Sequence, residues 1–298
     1  MLSNLKYYLI LHLIVLCWGL TGIFGDEISL TSGQLVFSRT LLASIVLIPI
    51  LIFKKNLKPM NFKSVIKVFL VGMIVAIHWF LFFESIKVST LSIGVICMST
   101  TTLFIAFIEP LILKRKLAIY EILIGVVILV GISVIFGFES EYSYGIFLGL
   151  ISAFCAATFS VLNGKLIQKH AALKITTIEM IAAASFTGVI LMLKDEFNHQ
   201  FLDLTTNEYI AVIVLGVICT AAAFVASVWL MKYLSPFSVS VAINLEPIYT
   251  IIIAFIFIQG TEPMGPGFYV GSVIILLAVF SNSIIKKKLN QRKKTIKS

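Results

Sequence analysis

The feature that most constrains this chain is a succession of apolar runs, at roughly 7–25, 34–53, 65–83, 91–113, 118–137, 144–163, 175–193, 209–231, 236–258 and 266–285. An α-helix needs about 20 apolar residues to cross the hydrocarbon core of a bilayer, so the runs predict ten membrane-spanning helices. Membrane strands would need alternating segments of about ten residues, whereas these runs are longer and apolar on all sides. Composition agrees: of 298 residues, 59% are hydrophobic and 12% charged, against about 25% charged in soluble domains. The connections left over are short, so no sizeable soluble domain is expected. The first run follows a lone Lys6 and has no small-residue cleavage site before Asp26, and it is read as a retained helix.

Charge gives the orientation. With the N-terminus on the cytoplasmic side, all but three of the 23 basic residues fall in cytoplasmic segments, the exceptions being Arg39, Lys87 and Lys194. Asp26, Glu27, Glu139, Glu141, Asp195, Glu196, Asp203, Glu208 and Glu262 fall on the opposite side. The positive-inside rule therefore predicts that both termini are cytoplasmic. The net charge of +9 is explained by anionic lipid beside the spans, and no nucleic-acid partner is expected. Cys17, Cys97, Cys155 and Cys219 all lie in apolar runs without metal-ligand spacing, so they read as packing residues and no metal site is implied.

Five spans per half is an odd number, so a duplicated unit would enter the membrane the second time with opposite orientation. Faint matches support duplication. Leu16-Cys17-Trp18-Gly19 resembles Phe154-Cys155-Ala156-Ala157, Ser85-Ile86-Lys87-Val88-Ser89 resembles Leu230-Met231-Lys232-Tyr233-Leu234, and Gly125 falls opposite Gly271. The expected fold is an all-α membrane protein of ten transmembrane helices in two inverted five-helix repeats, residues 1–140 and 141–288, followed by a basic cytoplasmic tail at 289–298. In such folds the substrate site lies near the midplane between the halves.

Trp18-Gly19 in span 1, Arg39 in span 2, the short Ser85-to-Ser92 turn, and Glu246-Pro247 in span 9 together resemble the drug/metabolite transporter superfamily, specifically its EamA type. The resemblance covers essentially the whole chain. It departs where Arg115 replaces the acidic residue usual after span 4, which Glu262 keeps after span 9. The proline usual in mid-span 4 is replaced around Thr101, and Pro247 keeps its counterpart. The resemblance implies that spans 1–4 and 6–9 form the carrier, with spans 5 and 10 as scaffold or dimer surface.

An ionisable side chain at bilayer depth costs roughly 3 kcal/mol or more unless it is paired or wet, which makes each one a functional candidate. Glu246 lies near the centre of span 9, and Pro247 breaks the helix beside it by leaving the Ile243 carbonyl without its donor. This pair is read as a substrate-amine or proton site. Arg39, permanently charged, could bind a substrate carboxylate, or snorkel outward or pair with Glu84. His78 and Trp79 in span 3, Trp18 as an aromatic wall, Thr158 in span 6 and Asn244 in span 9 complete the candidates. Ser99, Thr100, Thr101 and Thr102 cannot all face one side of a helix, so some must bond to another helix or to their own backbone, and Thr101 is taken as the substrate contact. Asn163, Glu109 and Glu179 lie near inner helix ends and read as capping or interfacial residues.

A P-loop and a zinc-protease helix pair are both absent from the sequence, so no cofactor and no enzymatic activity is expected. The predicted function is secondary transport of small metabolites across the cytoplasmic membrane of a bacterium, amino-acid export first, with a multidrug exporter or uptake permease as alternatives. A membrane-embedded lipid enzyme would need metal-holding acidic or His clusters at one face, where the loops carry mostly lysine. Small-molecule substrate and membrane lipid are the expected partners. Proton coupling is left open, as is the choice between monomer and homodimer.

Overall fold

The computed structural model describes residues 2–54, 57–114, 116, 119–138, 140–246, 249–250, 253 and 265–295, and every regular element in them is helical. The first half comprises α1 (Leu2–Glu27), α2 (Ser32–Phe53), α3 (Phe62–Val88), α4 (Leu91–Met98), α5 (Thr101–Leu113) and α6 (Ile119–Phe138). The second comprises α7 (Ser143–Leu166), α8 (Ala172–Leu193), α9 (Thr206–Val214), a π-helical stretch (Leu215–Ala222), α10 (Ala223–Leu230), α11 (Pro236–Ile243) and α12 (Pro266–Thr295). Among the described residues seven helical segments are long and apolar enough to cross a membrane, matching expected spans 1–4 and 6–8. Shorter apolar helices at Ile122–Ile135 and Tyr269–Ala278 fall in expected spans 5 and 10. The expected ninth span lies partly outside the described residues, as does Pro247.

Polar residues at the ends of the runs start the helices. Thr31 caps α2 and Thr205 caps α9, each in a reciprocal box with the side chain three residues on, Gln34 or Glu208. Asn61 caps α3, and Ser235 caps α11 ahead of Pro236. At 22 residues, α2 runs about 33 Å, enough to span the hydrocarbon.

The two halves share a plan. Both α2 and α8 are 22 residues long, and both α4 and α11 are 8 residues long. After α4 the chain breaks helix at Ser99–Thr100 and resumes at Thr101; after α11 it breaks at Asn244–Leu245 and is helical again at Glu246. Each break tightens to three-residue hydrogen bonds, from Thr100 N to Cys97 O (3.0 Å) and from Leu245 N to Ala242 O (3.0 Å). The two breaks touch: Asn244 Nδ2 donates to Thr102 Oγ1 at 2.7 Å, and Thr102 and Ser240 hydroxyls lie 2.8 Å apart.

Packing interleaves the halves, with α3 against α7 and α8, α2 against α8 and the π-helical stretch, and α6 against α12. Glycines permit the closest crossings. A Cβ on Gly271 would lie 2.5 Å from the Gly131 carbonyl oxygen, and one on Gly131 would lie 2.9 Å from that of Gly271. Gly145 and Gly149 seat the start of α7 on Ser85, Ser89 and Cys97, and Ser85 Oγ donates to Gly145 O at 2.6 Å. Links at the ends also cross between halves: Lys174 Nζ donates to Lys58 O (2.6 Å), Ser29 N to Glu208 Oε1 (2.9 Å), and Gln34 Nε2 to Glu196 O (2.9 Å).

Candidate functional site

A cavity of about 70 Å³ lies where the halves meet, space for several waters or part of a small ligand. Trp18 and Thr21 reach it from α1, Arg39 from α2, His78, Trp79 and Phe82 from α3, Met98 from α4, and Thr101 from α5. The second half contributes Phe159, Ser160 and Asn163 from α7, Phe224, Ser227 and Val228 from α10, Val239 and Ile243 from α11, and Glu246 just past the break. Thr101 and Glu246 occupy matching places in the two halves, each the first helical residue after its break. A discontinuous helix exposes backbone groups that continuous helices keep to themselves, and it is tolerated at membrane depth where it lines a cavity.

Arg39 is fully buried and neither snorkels nor pairs with Glu84. Its Nε donates to Thr220 Oγ1 at 2.9 Å, and its guanidinium lies 4.1 Å from the ring centroid of Trp79 and 5.5 Å from that of Phe83. Stacking over aromatic faces offsets part of the desolvation of a cation. Nη1 and Nη2 remain buried without a hydrogen-bond partner among the described residues, so the forked side of the guanidinium is unused. Glu246 is also buried and within electrostatic reach of Arg39, but among the described residues no ion pair of 4.0 Å or less joins them. The site therefore holds a guanidinium and a carboxyl group that do not meet in a contact ion pair.

The π-helical stretch positions this arrangement. Its wider winding lets Thr220 Oγ1 donate to Leu215 O at 2.6 Å while accepting from Arg39. It also leaves the Cys219 carbonyl open to Trp18 Nε1 at 3.1 Å. Single π turns inside α-helices occur preferentially at functional sites. His78 is held by Ser152, whose Oγ lies 2.9 Å and whose carbonyl oxygen lies 3.0 Å from Nδ1, and its ring packs beside Phe159 and Phe82.

The structure thus brings six of the sequence candidates to one cavity: Glu246, Arg39, Trp18, His78, Trp79 and Thr101. Thr158 and Asn244 do not reach it. Thr158 bonds back to Phe154 O at 2.9 Å, and Asn244 is used between the two helix breaks. Of the four successive hydroxyls, Thr100 bonds back to Cys97 O at 2.7 Å, Thr102 bridges to Ser240, and Thr101 lines the cavity without a partner among the described residues. Sequence reasoning missed Thr220, whose only signal was a lone hydroxyl in the small-residue run Cys219-Thr220-Ala221-Ala222. It also took Asn163 for a cap at an inner helix end and Glu179 for an interfacial residue. Asn163 is 1% exposed and lines the cavity, and Glu179 is 0% exposed. All four cysteines are free thiols.

Seven membrane-length apolar helices among the described residues, in two similarly built halves around a buried cavity, define a multi-pass membrane protein. The model of the EamA-like transporter family matches twice, over residues 5–137 and 143–284, and the chain belongs to that family. Its similarities run to proteins described only as transporters. An uncharacterized transporter of Archaeoglobus fulgidus is 26% identical, covering 93% of this chain and 97% of that protein. The uncharacterized transporter YxxF of Bacillus subtilis is 22% identical over 80% and 78% respectively. A solved crystal structure matches with a TM-score of 0.68 at 14% identity, covering 93% of this chain and 96% of that one, a likeness of fold alone.

Proposed function

We propose that the protein is a secondary transporter for small zwitterionic metabolites, amino acids first, working by alternating access of the two repeats around the cavity. The observation that carries this reading is the pairing of an unused guanidinium fork on Arg39 with the nearby but uncontacted carboxyl of Glu246. A carboxylate accepts two parallel hydrogen bonds from such a fork, and an ammonium is recognised by a carboxylate. An α-amino acid carries both groups on one carbon. Trp18, Trp79, Phe82, Phe159 and Phe224 supply an aromatic wall for an apolar side chain, which favours the larger hydrophobic amino acids within the class.

The two helix breaks, placed alike in the halves and bonded to each other through Asn244 and Thr102, give the rocking motion its pivot. We read the chain as residing in the cytoplasmic membrane of a bacterium with both termini inside, the repeats being 1–140 and 141–288. Outward flux is proposed on the family resemblance. A multidrug exporter is the second reading, favoured by the same aromatic wall.

Exchange of labelled leucine in proteoliposomes tests the reading, with choline and ethidium as permeants lacking a carboxylate. Leucine exchange is expected in the unmodified protein and a drop of at least tenfold in Glu246→Gln. Cation transport with no leucine exchange would overturn the zwitterion reading in favour of the multidrug one.

A further inference from the structure

A second charged position lies beyond the substrate cavity, in the other half of the protein. Glu179 is the eighth residue of α8, and Arg39 is the eighth residue of α2, a helix of the same length. The duplicated frame thus carries a guanidinium in one half and a carboxyl at the matching place in the other. Arg39 has Thr220 and an aromatic stack to offset its burial. Nothing comparable serves Glu179, whose Oε1 and Oε2 are both buried without a hydrogen-bond partner among the described residues.

The surroundings of Glu179 are polar but equally unsatisfied. The Asn163 side chain from α7 faces the carboxyl, and among the described residues neither its Oδ1 nor its Nδ2 reaches hydrogen-bond geometry with any partner. One turn before Glu179 on α8, the Thr176 hydroxyl is also buried and unpartnered. On the other side α3 closes in through backbone, since a Cβ on Gly72 would lie 2.5 Å from Glu179 O and 2.7 Å from its Cα.

Among the described residues no neighbouring charge balances the carboxyl. The ionisable residues of α2 and α3 are Arg39, Lys63, Lys67, His78, Glu84 and Lys87; α7 carries Tyr144, Cys155 and Lys165, α8 itself carries Lys174, and α10 has none. None of these acts electrostatically on Glu179, and Lys63 and Lys67 point to the exterior. An ionised carboxylate in such a place is strongly destabilising without compensation, and each orphaned buried polar group adds to that penalty. The Glu179 carboxyl, with the Asn163 amide facing it and the Thr176 hydroxyl one turn away on its own helix, is a buried acidic group that one small monovalent cation would satisfy. Asn163 connects it to the cavity, because the same side chain lines that cavity.

We propose that Glu179 and Asn163 form a coupling-cation site, separate from Arg39 and Glu246, that takes up one H⁺ or Na⁺ by way of the cavity. Charge balance requires this cation to be carried in one conformation and released in the other. Occupation is linked to transport because Asn163 is shared between the two sites. This role in coupling rests on the transporter reading, whereas the uptake of the cation can be measured without any substrate.

The test uses the detergent-purified full chain, with Glu179→Gln, Asn163→Leu and, as a control away from both sites, Glu84→Gln. Two arms separate the sources: saturable binding of radioactive Na⁺ at fixed pH, and the infrared band of protonated carboxyls followed against bulk pH in Na⁺-free buffer. One of the two signals is expected in the unmodified protein and in Glu84→Gln. It should fall at least tenfold in Glu179→Gln and shift in midpoint in Asn163→Leu. Neither signal in the unmodified protein, or a signal untouched by Glu179→Gln, overturns the proposal. A failure of leucine exchange alongside an intact cation signal removes the substrate reading and leaves this site standing.

Discussion

Replacing Arg39 by Lys keeps the charge and removes the geometry. The guanidinium gives Nε to Thr220 at 2.9 Å, lies 4.1 Å from the Trp79 centroid, and leaves both Nη groups for a ligand. A lysine ammonium is a point charge that cannot both hold Thr220 and present two parallel donors. Losing one of two charge-assisted hydrogen bonds to a carboxylate costs about 1.5–3 kcal/mol, which weakens binding by roughly 10- to 150-fold. Binding is read by quenching of tryptophan fluorescence, since Trp18 and Trp79 both line the cavity, with leucine compared against leucinamide. The amide keeps the ammonium and the side chain but lacks the carboxylate, so Arg39→Lys should weaken leucine over that range and leave leucinamide within about twofold. Equal losses for the two ligands would show that Arg39 supports the cavity without reading a carboxylate, and the assignment of the fork would fall.

Three further outcomes are expected. Gly131→Val drives a side chain into the Gly271 carbonyl, 2.9 Å from the position of its Cβ, and should cost about 1–3 kcal/mol, seen as a lower unfolding midpoint in detergent. Gly137, with nothing within 4 Å, accepts Ala without that loss. In a double-mutant cycle, Asn244→Leu and Thr102→Val should show a coupling of about 0.6 kcal/mol and not above ~1.7, since their side chains bond at 2.7 Å; additive effects would mean that the two helix breaks are independent. In a cysteine-free background, Lys194→Cys should react with an impermeant maleimide from outside intact cells and Lys58→Cys only after permeabilisation, the reverse pattern refuting the orientation.

The helical class, the multi-pass architecture and the duplication were legible because they are set by solvent. A run near 20 apolar residues has one low-energy state in lipid, in which every backbone group bonds within its own segment. Thr31, Asn61, Thr205 and Ser235 mark helix starts because caps are local chemistry. Glu246 and Arg39 stood out for the same reason, as charges in places where charge is expensive. Thr158 and Asn244 carried the same kind of signal and proved to bond elsewhere, because a hydroxyl or amide in a helix can satisfy itself on the preceding turn or on a neighbouring helix.

The amino-acid sequence by itself marked which segments are apolar and long enough to cross a membrane and which side chains are too costly to be idle there. Tertiary structure alone decided what those side chains face. The π-helical winding that turns Thr220 toward Arg39, the burial of Glu179 against Gly72, and the meeting of two helix breaks at Asn244 and Thr102 all depend on helices far apart in the chain. The physical reason is that depth in a bilayer follows from position along one helix, whereas the direction a side chain faces follows from the packing of several.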